Sequence, residues 1–188
     1  MKTHALGSAA SMHSAEATEV PAGHTVVAVV VQWRAKIALF KRSQSLRHES
    51  GQWHCITGYM EPGRTPVQQA MEELREETGL GQSDISELRS GPKVMMRDGS
   101  GAPWLVHTFT AVTSTRRLEI DWEHEAYRWT PPSKVKRFSN RVYWLDQVLE
   151  ATGFHGQGAA GFGPRAASLR PHSAKTANRL RCAARHPV

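Results

Sequence analysis

The stretch between residues 58 and 80, GYMEPGRTPVQQAMEELREETGL, carries the strongest local structural signal in this chain. Thr65 is a suitable N-cap, Pro66 occupies the first helical position, and Gln68 can close a capping box with Thr65. At the other end, Gly79 can adopt the left-handed conformation that ends many helices. These signals predict a loop followed by a helix of roughly three to four turns.

The predicted helix has an apolar side and an acidic side. Five apolar or small side chains fall within one arc: Val67, Ala70, Met71, Leu74 and Thr78. Four glutamates lie along the opposite side and its flank: Glu72, Glu73, Glu76 and Glu77. The like-charge pairs at i,i+4 destabilise the helix by about 0.2–0.5 kcal/mol each, and Arg75 is the only cation on the helix. A hard divalent cation such as Mg²⁺ would relieve this repulsion, whereas the alternative is a solvated acidic face.

The same stretch resembles the Nudix box of the Nudix hydrolases when the two are aligned without a gap. The matching positions are Gly58, Glu73, Leu74, Glu76, Glu77, Gly79 and Leu80. The residues that also suit the usual filling of the box are Glu61, Gly63 and Ala70. Two positions depart, because Arg64 stands where the box has Glu and Glu72 stands where it has Arg. So many fixed spacings are far more specific than a lone glycine motif.

The two departures are opposite in charge. This suggests that Arg64 and Glu72 form the family's structural ion pair with its polarity reversed. Under this hypothesis, Arg64→Glu alone lowers stability and activity, and adding Glu72→Arg restores both. The rival explanation is a decayed enzyme, although the three glutamates that resemble the family's metal ligands are all present.

The resemblance implies an α/β protein, a Nudix-like α/β/α sandwich with a mixed β-sheet, over residues 22–151. It implies that Glu73, Glu76 and Glu77 are catalytic and, with a main-chain carbonyl at Gly58, bind Mg²⁺ or Mn²⁺. The implied activity is hydrolysis of a nucleoside-diphosphate-linked substrate. The leading candidates are a nucleoside, deoxynucleoside or pterin triphosphate, which would give a monophosphate and pyrophosphate.

A second acidic stretch, LEIDWEHEAYRW at residues 118–129, also resembles a Nudix feature, the loop that brings an extra carboxylate to the metal or to the attacking water. By this resemblance Glu123 is the first candidate, as a catalytic residue and metal ligand, and Glu125 is the second, with a substrate-binding role. The alternative is a solvent-facing acidic loop. The sequence Ser139-Asn140-Arg141 resembles part of the dihydroneopterin-triphosphate and deoxynucleoside-triphosphate pyrophosphohydrolases, but a helix cap explains Ser139 equally well.

Three other residues are candidates for substrate binding. Arg42 ends a predicted strand, where enzymes of the resembled fold can place a basic substrate contact. Trp53 and His54 could flank a substrate ring. The alternatives are a solvated Arg42, core packing of Trp53 and an ordinary position on a strand face for His54.

Apolar and β-branched runs predict strands before and after the acidic helix. These strands are predicted at residues 24–32, 36–41, 53–57, 93–97, 103–113 and 127–129. Asp98-Gly99 between two of them predicts a hairpin turn. Residues 81–92 are predicted to be a connection with a short turn. Residues 139–151 are predicted to be an amphipathic helix whose inner stripe is Val142, Leu145, Val148 and Leu149.

The formal charge of +7 comes mainly from the C-terminal segment. Residues 151–188 hold six basic side chains and no acidic one, so residues 152–188 are predicted to be a basic, disordered tail, and residues 1–21 a flexible leader. Two cysteines, with no export signal and no apolar run long enough to span a membrane, favour the cytoplasm. The predicted partner is a nucleotide-like small molecule. Two alternatives stay open: a catalytically weak Nudix-shaped binding module, and nucleic-acid association through the tail.

Overall fold

The computed structural model describes residues 24–98 and 100–154, which form an eight-stranded sheet with a helix on each face. The strands are β1 (His24–Trp33), β2 (Lys36–Arg42), β3 (Trp53–His54), β4 (Ile56–Tyr59), β5 (Ile85–Ser90), β6 (Val94–Arg97), β7 (Pro103–Thr113) and β8 (His124–Thr130). The helices are α1 (Pro66–Thr78) and α2 (Leu145–Ala151), and short 3₁₀ turns span Gln82–Asp84 and Pro132–Arg137. The predicted mixed α/β/α sandwich is therefore confirmed.

Strand β1 is the centre of the sheet. It pairs in parallel with β7 and antiparallel with β2 and β4. Every residue from 26 to 31 is buried, because elements cover both faces of this strand. A strand buried on both faces has an uninterrupted apolar sequence, which is why the run VVAVVV was recognisable without any alternation.

Two separate cores lie on the two faces of the sheet. On one face, Ala70 and Leu74 of α1 pack with Val27 and Phe40. On the other face, the core contains alternate residues of β1 and the predicted inner stripe of the last helix: Val26, Ala28, Val30, Val142, Leu145, Val148 and Leu149. Successive side chains of β1 therefore point alternately toward α1 and toward α2.

Helix α1 has the predicted ends but a different buried side. Thr65 and Gln68 form the capping box, and Gly79 is left-handed with φ 70°. However, Val67 is 49% exposed, whereas Gln69 and Glu77 are only 2% and 4% exposed. The helix is rotated about its axis relative to the prediction, so that one flank of the acidic side faces the sheet.

Residues 81–92 are not the connection that the sequence predicted. They contain a 3₁₀ turn and strand β5, which pairs antiparallel with β7. Its sequence, ISELRS, has no buried residue, and only Ile85 and Leu88 are half-buried. A mostly exposed, charged edge strand lacks the apolar run or clean alternation by which strands are recognised.

The predicted helix at residues 139–151 begins six residues late, at Leu145. The chain before it runs beside β3 instead, because the Trp53 amide donates to the Asn140 carbonyl at 2.8 Å and the Val142 amide donates to the Trp53 carbonyl at 3.1 Å. The Asn140 side chain also donates to the Gly51 carbonyl at 3.0 Å. These contacts between distant parts of the chain replace the helical hydrogen bonds that the local pattern favoured.

The predicted leader and nearly all of the predicted basic tail lie outside the described residues. Phe154, beyond the predicted domain end, packs against the core under α2. Within the described ranges, no helix has the length and apolar character needed to cross a lipid bilayer.

Candidate active site

Gly58 and Glu73 are in contact, which explains why glycine precedes the helix at this spacing. A Cβ atom on Gly58 would lie 1.7 Å from Glu73 Oε1, so the glutamate carboxyl rests directly against strand β4. The buried amide of Gln69 donates to Glu73 Oε1 at 2.8 Å, and its oxygen accepts from the Glu61 amide at 3.2 Å. Strand and helix together therefore fix this carboxyl in one place.

Glu77 is buried one turn further along α1, beside Glu73. Burial and the nearby carboxylates of Glu73, Glu123 and Asp121 raise the pKa of Glu77 well above its usual value. Burial also raises the pKa of Glu73, while hydrogen bonds from Gln69 and Glu77 oppose that rise. Both carboxyls therefore bind a proton more tightly than an exposed glutamate does. The Oε2 atom of Glu77 is buried without a hydrogen-bond partner.

A chain of buried imidazoles lies next to Glu77. His124 Nδ1 is 3.1 Å from Asp121 Oδ1, and His124 Nε2 is 3.0 Å from His54 Nε2 and 3.4 Å from Glu77 Oε2. Burial lowers the pKa of both histidines, and for His54 the charges of His124 and Arg42 lower it further. If Asp121 accepts the Nδ1 proton of neutral His124, then His124 Nε2 accepts from His54. That arrangement leaves His54 Nδ1 as a buried acceptor without a partner, as is found.

Glu123 completes a group of four carboxylates with Glu73, Glu76 and Glu77. Burial, Asp121 and Glu76 raise the pKa of Glu123, while Arg42 opposes the rise. The charges of Glu76 and Glu123 in turn raise the pKa of Glu73. Glu123 therefore interacts electrostatically with each of the other three carboxylates, at the place where α1 meets the start of β8.

The donor set fits a hard divalent cation, which takes carboxylate and carbonyl oxygens. Such a charge would give the unpartnered Oε2 atom of Glu77 a partner and would offset the repulsion that helps to raise the pKa values of Glu73 and Glu77. In the described part of the chain, no three His, Cys, Asp or Glu side chains stand as a ready-made ligand set. Glu76 instead pairs with Arg75 Nη2 at 3.0 Å on the outer side of the helix.

The four predicted substrate contacts lie in different surroundings. Arg42 pairs with His124, the residue after Glu123, across β2 and β8, and its Nε donates to the His48 carbonyl at 3.3 Å. Its charge lowers the pKa of Glu123. His54 is buried in the imidazole chain. Trp53 lies on the opposite face of the sheet with the α2 core. Glu125 pairs with Lys41 Nζ at 3.0 Å and accepts from the Gln44 amide at 2.9 Å.

The reversed ion pair suggested by the two departures from the box is not formed. Arg64 Nε pairs with Glu61 Oε2 at 3.1 Å, and Glu72 pairs with Arg75. Arg64 is nevertheless close enough for its charge to lower the pKa of Glu72, after the larger effect of Arg75. The hypothesis of a direct Arg64–Glu72 bond was therefore wrong, because each residue has a partner on its own segment.

Gln69 is the site residue that the sequence analysis missed. It lies four residues before Glu73, so the two side chains meet on one side of the helix. This spacing was the only sequence signal for a role of Gln69 in the site. A glutamine in a sequence does not itself indicate whether its side chain will be buried or exposed. Asp121 and His124 were noticed as part of an acidic stretch but were given no role.

Comparisons with known proteins identify the family of this fold. A model of the NUDIX domain matches residues 23–150. The Nudix domain of Shewanella oneidensis NrtR complexed with ADP-ribose superposes with a TM-score of 0.59 at 19% identity, over 70% of this chain and 87% of that chain. The Escherichia coli ORF135 protein gives a TM-score of 0.54 at 25% identity, over 68% of this chain and 86% of that chain.

The E. coli dihydroneopterin triphosphate pyrophosphohydrolase gives a TM-score of 0.51 at 17% identity, over 67% of this chain and 92% of that chain. No curated protein matches this chain significantly. The family match covers most of the sequence and includes the strand, loop and helix that hold the carboxylates. The chain therefore belongs to the Nudix family and is a Nudix-type hydrolase of pyrophosphate bonds.

Proposed function

We propose that this protein is a Mg²⁺-dependent hydrolase of a nucleoside or pterin triphosphate, which it converts to the monophosphate and pyrophosphate. The observation that carries the proposal is the group of carboxylates around Glu77. Burial and mutual repulsion raise the pKa values of Glu73 and Glu77 above the usual range for a carboxyl group. Such an arrangement is costly unless a cation and an anionic ligand bind to it.

Glu73, Glu76 and Glu77 would hold the metal, with a main-chain carbonyl at Gly58; Mn²⁺ suits the same oxygen donors. When bound, the metal supplies positive charge that stabilises the pyrophosphate oxygens and the leaving group. Glu73 is already fixed by Gln69 and by the strand. Glu76 would have to exchange its contact with Arg75 for the metal.

Glu123 is the proposed general base. Its raised pKa makes it a stronger base than an exposed glutamate, and it lies beside the other carboxylates without an ion-pair partner among the described residues. It would take a proton from the water that attacks phosphorus, while pyrophosphate leaves from the same phosphorus atom. Arg42 is the proposed contact to a substrate phosphate, because it is the predicted substrate residue whose charge acts on this group.

The substrate class rests on the shared pyrophosphate linkage. One solved structure similar to this chain is complexed with ADP-ribose, and another is named as a dihydroneopterin triphosphate pyrophosphohydrolase. Both compounds carry an organic group on a pyrophosphate, which is the only part that the carboxylates and the metal would contact. Trp53 and Glu125 are not included in this proposal, because both are engaged away from the carboxylates.

A substrate screen tests the proposal. Nucleoside triphosphates, deoxynucleoside triphosphates, dihydroneopterin triphosphate and ADP-ribose are incubated with and without Mg²⁺, and the released phosphate species are separated. We expect pyrophosphate from a triphosphate only with metal present. Glu123→Gln should lower kcat by about 10²–10⁴-fold, the usual range for a group that transfers a proton in catalysis. Glu77→Gln should also lower kcat, because it removes one of the carboxylates that would hold the metal.

Glu72→Gln is the matched control, because Glu72 lies on the same helix and shares the Arg75 contact but is outside the group of four. Its activity should stay close to that of the unchanged protein. Tight nucleotide binding without turnover for any substrate would instead identify a catalytically weak binding module. Equal losses for Glu72→Gln and Glu77→Gln would show that helix stability, not the carboxylate group, had been measured.

A further inference from the structure

A cationic groove lies at the end of β2 and β8 that is remote from the carboxylates. It encloses about 470 Å³. Its aromatic wall is formed by Trp33, Trp129 and Phe138. Its cations are Lys36, Arg116, Arg128, Lys134 and Arg137. None of the described residues that line it is acidic, and the cations come from four separate segments of the chain.

The five cations of the groove have no neutralising carboxylate within residues 24–98 and 100–154. Among the described residues, none of them forms an ion pair with a carboxylate, whereas Lys41, Arg75 and Arg141 elsewhere all do. All five are exposed at the surface. Like charges gathered around one cavity repel one another and concentrate positive potential there, so the groove favours an anionic ligand with several charges.

The aromatic wall is held in a fixed orientation. Trp33 Nε1 donates to the Ser114 carbonyl at 3.2 Å, and Trp129 Nε1 donates to the Arg116 carbonyl at 2.8 Å. The two indole rings have their centroids 5.7 Å apart at 46°. Guanidinium groups of Arg34 and Arg116 lie 4.6 and 5.7 Å from the Trp33 ring. Planar rings and guanidinium groups side by side form a surface on which unpaired bases can stack.

The groove is separate from the hydrolytic site. Thr130 lines it, whereas His124, six residues earlier on β8, contacts Glu77. A strand rises about 3.3 Å per residue, so roughly 20 Å separates the two places along β8. A ligand in the groove can therefore be tested without disturbing the carboxylates.

We propose that the groove binds single-stranded nucleic acid, with phosphates on the cations and bases against Trp33 and Trp129. Several unpaired cations on four segments suit a run of phosphates better than one free nucleotide. The half-buried indole rings of Trp33 and Trp129 line the groove, and such rings favour bases that are not already stacked within a duplex. The sequence had suggested nucleic-acid contact only through the basic tail, so this groove is a second and different place for it.

Fluorescence anisotropy with the full chain tests the proposal. The probes are labelled oligouridylate and oligothymidylate of about twelve nucleotides. This length lies within the site size of about 4–16 nucleotides that single-strand-binding OB folds cover. The groove variant is Arg116→Glu with Lys134→Glu. The matched control is Arg117→Glu with Lys136→Glu, which makes the same charge change on neighbouring exposed residues that do not line the groove.

We expect the groove variant to bind the single strand at least about tenfold more weakly, with the salt slope reduced by about 1.4 for two lost phosphate contacts. The control variant should lose far less, because the tail is unchanged in both variants and the net charge changes equally, whereas only the groove variant loses cations that line the groove. Both variants should keep the thermal midpoint and hydrolytic activity of the unchanged protein, which shows that they fold. The RNA and DNA probes tell which sugar the groove accepts.

Three results would overturn the proposal. Equal weakening in both variants would assign binding to the tail or to general charge. A duplex of the same length that binds as well as the single strand would exclude base stacking. A free nucleotide that displaces the probe at equal phosphate concentration would make the groove a mononucleotide site.

Discussion

Gly58→Ala separates the fold from the site, because the three atoms nearest to the new methyl group all belong to the side chain of Glu73. The added Cβ would lie 1.7 Å from Oε1, 2.0 Å from Cδ and 2.6 Å from Cγ of Glu73. The carboxyl must therefore move, and it loses the 2.8 Å hydrogen bond from Gln69. The φ of Gly58 is not in the left-handed region, so alanine adds no backbone strain.

The expected loss of stability is small and the expected loss of activity is large. A hydrogen bond to a charged group contributes about 1.5–3 kcal/mol, and the stiffer alanine backbone returns about 0.4–1 kcal/mol. The free energy of unfolding should therefore fall by about 1–2 kcal/mol. Misplacing a catalytic group by about 1 Å can cost 10²-fold in rate, so kcat should fall at least that far.

Urea unfolding and pyrophosphate release measure the two effects separately. Gly81→Ala is the control, because its Cβ would make only an ordinary 3.6 Å contact with Asp84 Oδ2. In a Glu73→Ala background the clash no longer exists, so Gly58→Ala should cost no further activity there. A Gly58→Ala protein with full activity, or one that loses further activity in the Glu73→Ala background, would refute the reasoning.

Three other predictions follow from the shifted pKa values. Without metal, the protein should lose stability as pH rises from about 4.5 through the raised pKa of Glu77, because the folded state then gives up a proton that it binds more tightly than the unfolded state does. Thermal unfolding measured across this pH range tests the prediction. Mg²⁺ should reverse the loss of stability, and Glu77→Gln should remove its pH dependence. Hydrogen bonds from Ser100, Trp104 and the Ala102 amide lower the pKa of Asp98 from 3.8 to about 2. The stability that Asp98 contributes is therefore complete above pH 3.8 and is lost as pH falls through about 2. An acid unfolding curve that is the same for Asp98→Asn and for the unchanged protein would contradict this. Burial raises the pKa of the Cys55 thiol to about 12, so a Cys182→Ser protein should resist thiol reagents until it is unfolded, and fast labelling of the native protein would contradict the burial.

The sequence predicted those parts of the fold whose causes are local. The ends of α1 depend on Thr65, Gln68 and Gly79, which act within one turn of themselves, and the structure has all three in those roles. The missed strand β5 and the late start of α2 depend on distant partners. Strand β5 exists because it adds to the edge of β7, and residues 140–142 are extended because they pair with Trp53. Neither partner is detectable from a window of neighbouring residues.

The site shows the same division at the level of single side chains. The spacing between Gly58 and Glu73 was readable because the box fixes it. The burial of Glu77 was not, since the pattern assigned Val67 to the core and the glutamate to the surface. The rotation of α1 that reverses these two places depends on what packs beneath the helix, including the imidazoles of His54 and His124. Substrate contacts on strands were the hardest to place, because a shift of one residue moves a side chain to the other face, as it does for Trp53 and His54.

The rotation of α1 lowers the contribution of this helix to the stability of the fold and places its carboxylates where they can bind a cation. Exposing Val67 gives up apolar burial, and burying Glu77 without a full set of partners costs desolvation energy. A helix selected only for stability would turn the other way. Glu73 and Glu77 both have raised pKa values and so bind a proton tightly without metal, and a cation competes with that proton for the same oxygens. Metal affinity should therefore rise with pH over the range in which the protein alone becomes less stable, because both follow from the release of one proton.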